Sequence, residues 1–136
     1  MCLAEGAPPS ELSPTSPPRH GKLFDQVPLR IAFFGLPLAA LLLARDGHEI
    51  VLCAVSRTDA PGLRRARRSF GDRLRVRPDV RSRKLRAHVE DLRPDLLVSW
   101  FWTTRLPMEL VGAAQHGGIN VHPSLLPRHR GPDPTT

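Results

Sequence analysis

The chain has 136 residues, 40% apolar and 24% charged, which suits a single domain with an ordinary core. Its longest apolar run, GLPLAALLLA, is too short to span a bilayer, and no secretory-type leader precedes it, so a cytoplasmic protein is expected. The net charge of +7 is uneven: residues 57–86 hold eleven Arg and one Lys against three Asp, a local +9. Cys2 and Cys53 are isolated, which excludes a disulfide framework or a cysteine-based zinc site.

Residues 1–28 carry six of the fifteen prolines and no sustained apolar period, so they read as a proline-rich disordered leader. RIAFFG then gives a short β-branched and aromatic strand ending at Gly35, where the chain turns sharply. LPLAALLLARDG supplies helix formers closed by Gly47, a residue suited to the left-handed conformation past a helix end. EIVLCAVS is a second, nearly continuous apolar strand, the pattern of a parallel sheet covered on both faces.

In the basic stretch that follows, Pro61 and Gly62 break any long helix, and residues 74–76 form a weak strand candidate. Leu85, Val89 and Leu92 share one face of a helix predicted over 80–92, which Pro94 terminates. DLLVSW is a strand, LPMELVGAA a short helix beginning near Pro107, and GGINVH a further strand. The alternation points to an α/β fold with a doubly wound, mostly parallel sheet and right-handed crossovers.

Ligands bind such sheets outside the carboxyl ends of the strands. Three segments meet that condition and should lie side by side: the Gly35 turn, SWFWTTR and NVHPSLLPRHRG. Asn120 and His122 are two residues apart at a strand end, so alternation sends both side chains to one side. An amide can donate to a developing oxyanion while an imidazole exchanges a proton, the paired roles that acyl-type transfer needs. Read without context, an N-x-H pair is more often a capping Asn beside a surface His. A basic run, likewise, is more often a solvated face than a phosphate footprint.

The string INVHPSLLPRHRGPDP resembles the signature of the folate-dependent formyltransferases. RIAFFGLPLAALLL is similar to that family's opening strand and helix, and RPDLLVSWFWTTRLPMEL to its fourth strand and following turn. The resemblance covers residues 29–136 and implies a Rossmann-like catalytic domain that is partial, its sheet incomplete at the C-terminus. It implies that Asn120 and His122 are catalytic. Ser99, Trp100, Phe101, Ser124, Leu125, Leu126 and Pro127 would lie against 10-formyltetrahydrofolate, the co-substrate, with no metal.

The segment SRTDAPGLRRARR resembles the basic loop that members acting on methionyl-tRNA place against the acceptor arm. Gly35, Leu36, Arg64, Arg65, Arg67, Arg68, Arg128 and Arg130 are accordingly expected on the acceptor side, with tRNA as a partner through residues 57–86. No membrane and no obligate protein partner are implied. Two departures bear on the acceptor: Leu36 stands where those members usually have threonine, and the glycine- and serine-rich phosphate loop of the purine-pathway members is missing, which disfavours their substrate. Formyltransferases acting on sugar amines share the catalytic string and remain an alternative, as does a non-catalytic RNA-binding relic. The family's third catalytic residue, an aspartate, lies well beyond the signature loop, and Asp133 is too close to be it. These residues by themselves are therefore expected to have little or no activity.

Overall fold

A computed structural model of the chain describes residues 27–122. Five strands run parallel in one sheet: β1 (Arg30–Gly35), β2 (Glu49–Val55), β3 (Leu74–Val76), β4 (Leu96–Trp100) and β5 (Gly118–Val121), in the order β3-β2-β1-β4-β5. Among the described residues four α-helices join them: α1 (Pro37–Arg45), α2 (Leu63–Phe70), α3 (Arg83–Leu92) and α4 (Met108–Val111). The chain builds outward from β1 through β2 to β3, then returns to lay β4 along the other side of β1. That reversal makes the sheet doubly wound, with each pair of helices on its own face.

The packing shows the division directly. Ile31 and Phe33 of β1 join Ala39 and Ala40 of α1 and Leu63, Ala66 and Phe70 of α2 in one core cluster. Their neighbours Ala32 and Phe34 point the opposite way, into a cluster with Leu85 and Val89 of α3 and Leu110 of α4. Because both faces are covered, β1 and β2 read as continuous apolar runs rather than alternating ones. A bulge in β2 lets Ile31 pair with Ile50 and Ala32 with Leu52, so Val51 is the extra residue.

Local signals explain most boundaries. α1 begins at Pro37, where the missing N–H costs nothing. It ends in paired bonds from Gly47 N to Ala44 O and from His48 N to Leu43 O, with Gly47 at φ +98°, the arrangement that satisfies terminal carbonyls. Ser82 caps α3, its hydroxyl accepting from Lys84 N at 3.2 Å and Leu85 N at 3.5 Å, so the helix starts three residues later than the predicted 80–92. Beyond a break at Pro61 and Gly62 the sequence predicted nothing for 63–70, where the structure holds α2. Five of the eight residues of α2 are polar, and its three buried positions, Leu63, Ala66 and Phe70, give too sparse a period to stand out.

Candidate active site

The carboxyl ends of β1, β4 and β5 are bonded to one another. Leu36 N donates to Trp100 O at 3.2 Å, and Phe101 N donates to Val121 O at 3.1 Å. The Gly35 turn, the start of the SWFWTTR segment and the end of β5 thus form one continuous rim. Gly35 is buried, and the close approach it permits is that of Trp100: a Cβ there would lie 1.9 Å from the Trp100 carbonyl oxygen. Its φ of +146° also favours glycine.

Pairing fixes the faces. Phe34 is level with Ser99, and Ser99 with Asn120, so the three form one row across the sheet on the α3/α4 face. Asn120 is exposed, and His122 follows β5 directly, half-buried. Ser99, in the middle of the row, is buried. Ile119 pairs with Val98, faces the α1/α2 side and is 52% exposed.

The aromatic residues divide between the faces. Trp100 packs against the α1/α2 cluster, whereas Trp102 sits on the other face, edge-on to Phe34 with centroids 5.5 Å apart. The Trp102 indole donates to Thr104 Oγ1 at 2.9 Å. Phe101 lies between them, 41% exposed and at φ +54°, a left-handed conformation costly for a bulky residue. Ser124, Leu125, Leu126, Pro127, Arg128 and Arg130 lie outside the described residues, as does almost all of the leader.

The local +9 is not one patch. Arg64, Arg65, Arg67 and Arg68 are exposed on α2, on the α1/α2 face, while Arg81, Arg83 and Arg86 belong to the opposite side with α3. Several other members of the run are committed to the fold. Arg73 donates to the carbonyls of Ile50, Phe70 and Ser69, and Arg57 pairs with Asp59 at 2.7 Å. The hydrogen bond from Arg57 holds the Asp59 carboxyl below its ordinary range.

A groove of about 660 Å³ opens between the start of α3 and residues 105–110, and the sequence reading missed it. Leu106, Pro107 and Leu110 supply apolar lining, and Arg81, Arg83, Arg86 and Arg105 line the same groove with a single acidic residue, Glu109. The arginines were visible as charge, but nothing in their spacing showed that Arg105 would join the other three. Among the described residues no group of three or more His, Cys, Asp or Glu converges as a metal site, and no helix is long and apolar enough to cross a membrane.

A model of the formyl transferase family matches residues 39–136. The chain belongs to that family. It is similar to the methionyl-tRNA formyltransferase of Thermus thermophilus, 37% identical over 119 residues, covering 78% of this chain and 39% of that protein. The methionyl-tRNA formyltransferase of Anaeromyxobacter dehalogenans is likewise 37% identical over 120 residues, covering 78% and 38%. The chain thus spans about two-fifths of the length of the curated relatives it matches.

Among solved structures it resembles glycinamide ribonucleotide transformylase 1 from Symbiobacterium toebii, with a TM-score of 0.59 and 27% identity over 79% of this chain and 57% of that one. It also resembles phosphoribosylglycinamide formyltransferase from Streptococcus pneumoniae, with a TM-score of 0.58 over 78% of this chain and 63% of that one. At 17% identity the second likeness speaks to the fold alone. The five-stranded parallel sheet and its flanking helices are the architecture of this family, as the sequence predicted.

Proposed function

We propose that this chain carries the formyl-donor side of a site that transfers a formyl group from 10-formyltetrahydrofolate to the amino group of methionyl-tRNA. The observation that carries the reading is the rim itself: Asn120 and His122 stand at the end of β5 beside Phe101, with Asn120 in one row with Phe34 and Ser99. In the reaction the substrate amine forms a bond to the formyl carbon, the bond from that carbon to N10 of the folate breaks, and the amine proton ends on N10. Asn120 donates its amide N–H to the formyl oxygen as negative charge develops there. His122 shares that charge and moves the proton from the amine toward N10.

The groove fits the rest of the donor. A folate is a flat ring joined through an aminobenzoyl group to glutamate, so it needs an apolar rest and a cationic end. Leu106, Pro107 and Leu110 offer the first. Arg83, Arg86 and Arg105 offer the second, since a guanidinium matches a carboxylate with two parallel hydrogen bonds. Ser99 and Trp100 act beneath this surface, supporting the rim more than touching the ring.

The acceptor follows from α2. Its four exposed arginines concentrate positive charge on one helix. Three of them, Arg64, Arg65 and Arg67, line a hollow of about 560 Å³ in which Asp59 is the one carboxylate, a density of charge that suits the phosphates of a polynucleotide. The relatives named methionyl-tRNA formyltransferase favour the same acceptor. Titrating the chain with 10-formyltetrahydrofolate while following tryptophan fluorescence tests the donor assignment. A saturable change from Trp100 and Trp102, weakened by Arg105→Ala, is expected; a titration without saturation refutes it.

A further inference from the structure

Between the reacting edge and the basic helix lies a stretch of surface to which no role has been assigned. Across the sheet, β1 stands between β4 and β2, so the turn after β1 separates the end of β5 from the loop that leads into α2. Strands lie about 4.8 Å apart, so roughly 10 Å separate the end of β5 from the Gly35 turn. All the strands are parallel, and the turn, the start of α1 and the start of α2 therefore share the carboxyl edge with Asn120. Leu36 follows the turn, 36% exposed, with its N–H donated to Trp100 O. Leu38, in the first turn of α1, is 47% exposed and packs against Gly62 so closely that a Cβ there would lie 2.5 Å from its Cδ2. Gly62 in turn lines the hollow of Arg64, Arg65 and Arg67. An isolated exposed leucine needs no explanation. Two of them joining a reacting edge to a basic hollow, on the edge where such sheets receive ligands, form an apolar step with a charged landing beyond it.

We propose that Leu36 and Leu38 seat the aminoacyl side chain of the acceptor and select for an apolar one, an inference that rests on the acceptor reading above. The ligand that fits this order is an amine whose carbon bears both a short apolar chain and an ester to a polynucleotide. Its amine meets Asn120 and His122, its side chain lies on the two leucines, and its phosphates continue to the arginines of α2. An aminoacyl group ending in an amide or a charge would lose water against this step and gain no partner, because neither the leucines nor Gly35 and Gly62 carry a polar side chain. Leu36 and Leu38 act on the choice of acceptor and leave the proton and charge movements to Asn120 and His122.

The test is formyl transfer by the protein that carries this chain, to a single tRNA charged in turn with methionine, norleucine and glutamine, three side chains of similar length. Methionine and norleucine should give kcat/KM values within about 3-fold of each other, and glutamine a value about 10- to 100-fold lower, the scale on which apolar pockets discriminate. Leu36→Asn and Leu38→Asn should each narrow the ratio of methionine to glutamine by about 3-fold or more. Leu42→Asn, one turn further along α1 and 58% exposed, should leave the ratio as it was. Since the ratio compares two substrates on one variant, a general loss of folded protein lowers both rates and does not move it. Equal rates for methionine and glutamine in the unaltered protein, or a ratio unmoved by both leucine variants, would overturn the seat and leave the acceptor reading intact. No transfer to any of the charged tRNAs would overturn both.

Discussion

β1 and β5 lie in the same sheet, one strand apart, yet they differ in almost every physical respect. Ala32, Phe33 and Phe34 of β1 have no accessible surface and are covered by helices on both faces. Gly118, Ile119 and Asn120 of β5 are all exposed, and among the described residues the strand pairs only with β4. The fold is held by the first strand and the proposed chemistry is displayed by the second. Since burial carries stability and access carries reaction, substitutions in the two strands should separate cleanly.

The largest expected effect is in β1. Phe34→Ala removes a fully buried ring and the edge-on partner of Trp102, and should cost about 3–5 kcal/mol in urea unfolding. Ile119→Ala in β5 should cost much less, about 0.5 kcal/mol, because the side chain is already half in water. Similar losses from the two would erase the contrast.

Next is the hinge between the strands. Gly35→Ala places a Cβ against the Trp100 carbonyl oxygen and should cost about 2–3 kcal/mol, whereas Gly47→Ala, with a positive φ but open space around it, should cost about 1 kcal/mol. Thermal unfolding of the pair separates the steric penalty from the dihedral one. If both cost the same, the close approach of β1 and β4 does not depend on the missing side chain.

A smaller effect comes from Cys53, in β2. Burial pushes its thiol from 9.0 up to about 12, against the opposing charge of Arg73. The unfolded thiol ionises near pH 9 while the folded one stays protonated, so the unfolded state binds fewer protons and stability falls as pH rises from 9 toward 12. By pH 10 the loss should be about 1 kcal/mol, and Cys53→Ala should remove that part of the slope. An unchanged slope would mean that the thiol is not buried as described.

Much of this was legible in the sequence because parallel sheets write themselves as apolar runs. β1, β2 and β4 announced themselves by composition, and α1 by its helix formers and Gly47. α2 did not, since four arginines in eight residues swamp an apolar face made of Leu63, Ala66 and Phe70. The charge run was equally plain, but its division was not. Only the reversal between β3 and β4 sends the arginines of α2 and of α3 to opposite faces, and no local spacing encodes that reversal. Alternation also concealed how the aromatic segment splits, with Trp100 packed under one face and Trp102 under the other. Trp102 and Arg105 therefore emerged only from the folded chain.

The most direct test is formyl transfer to methionyl-tRNA by the protein that carries this chain, measured for His122→Ala and Asn120→Ala beside their melting temperatures. Each should lower the rate by about 10²–10⁴, with a melting temperature that shows the fold to be intact, as expected for groups that act on the reacting atoms. Ordinary rates in both variants would contradict the account.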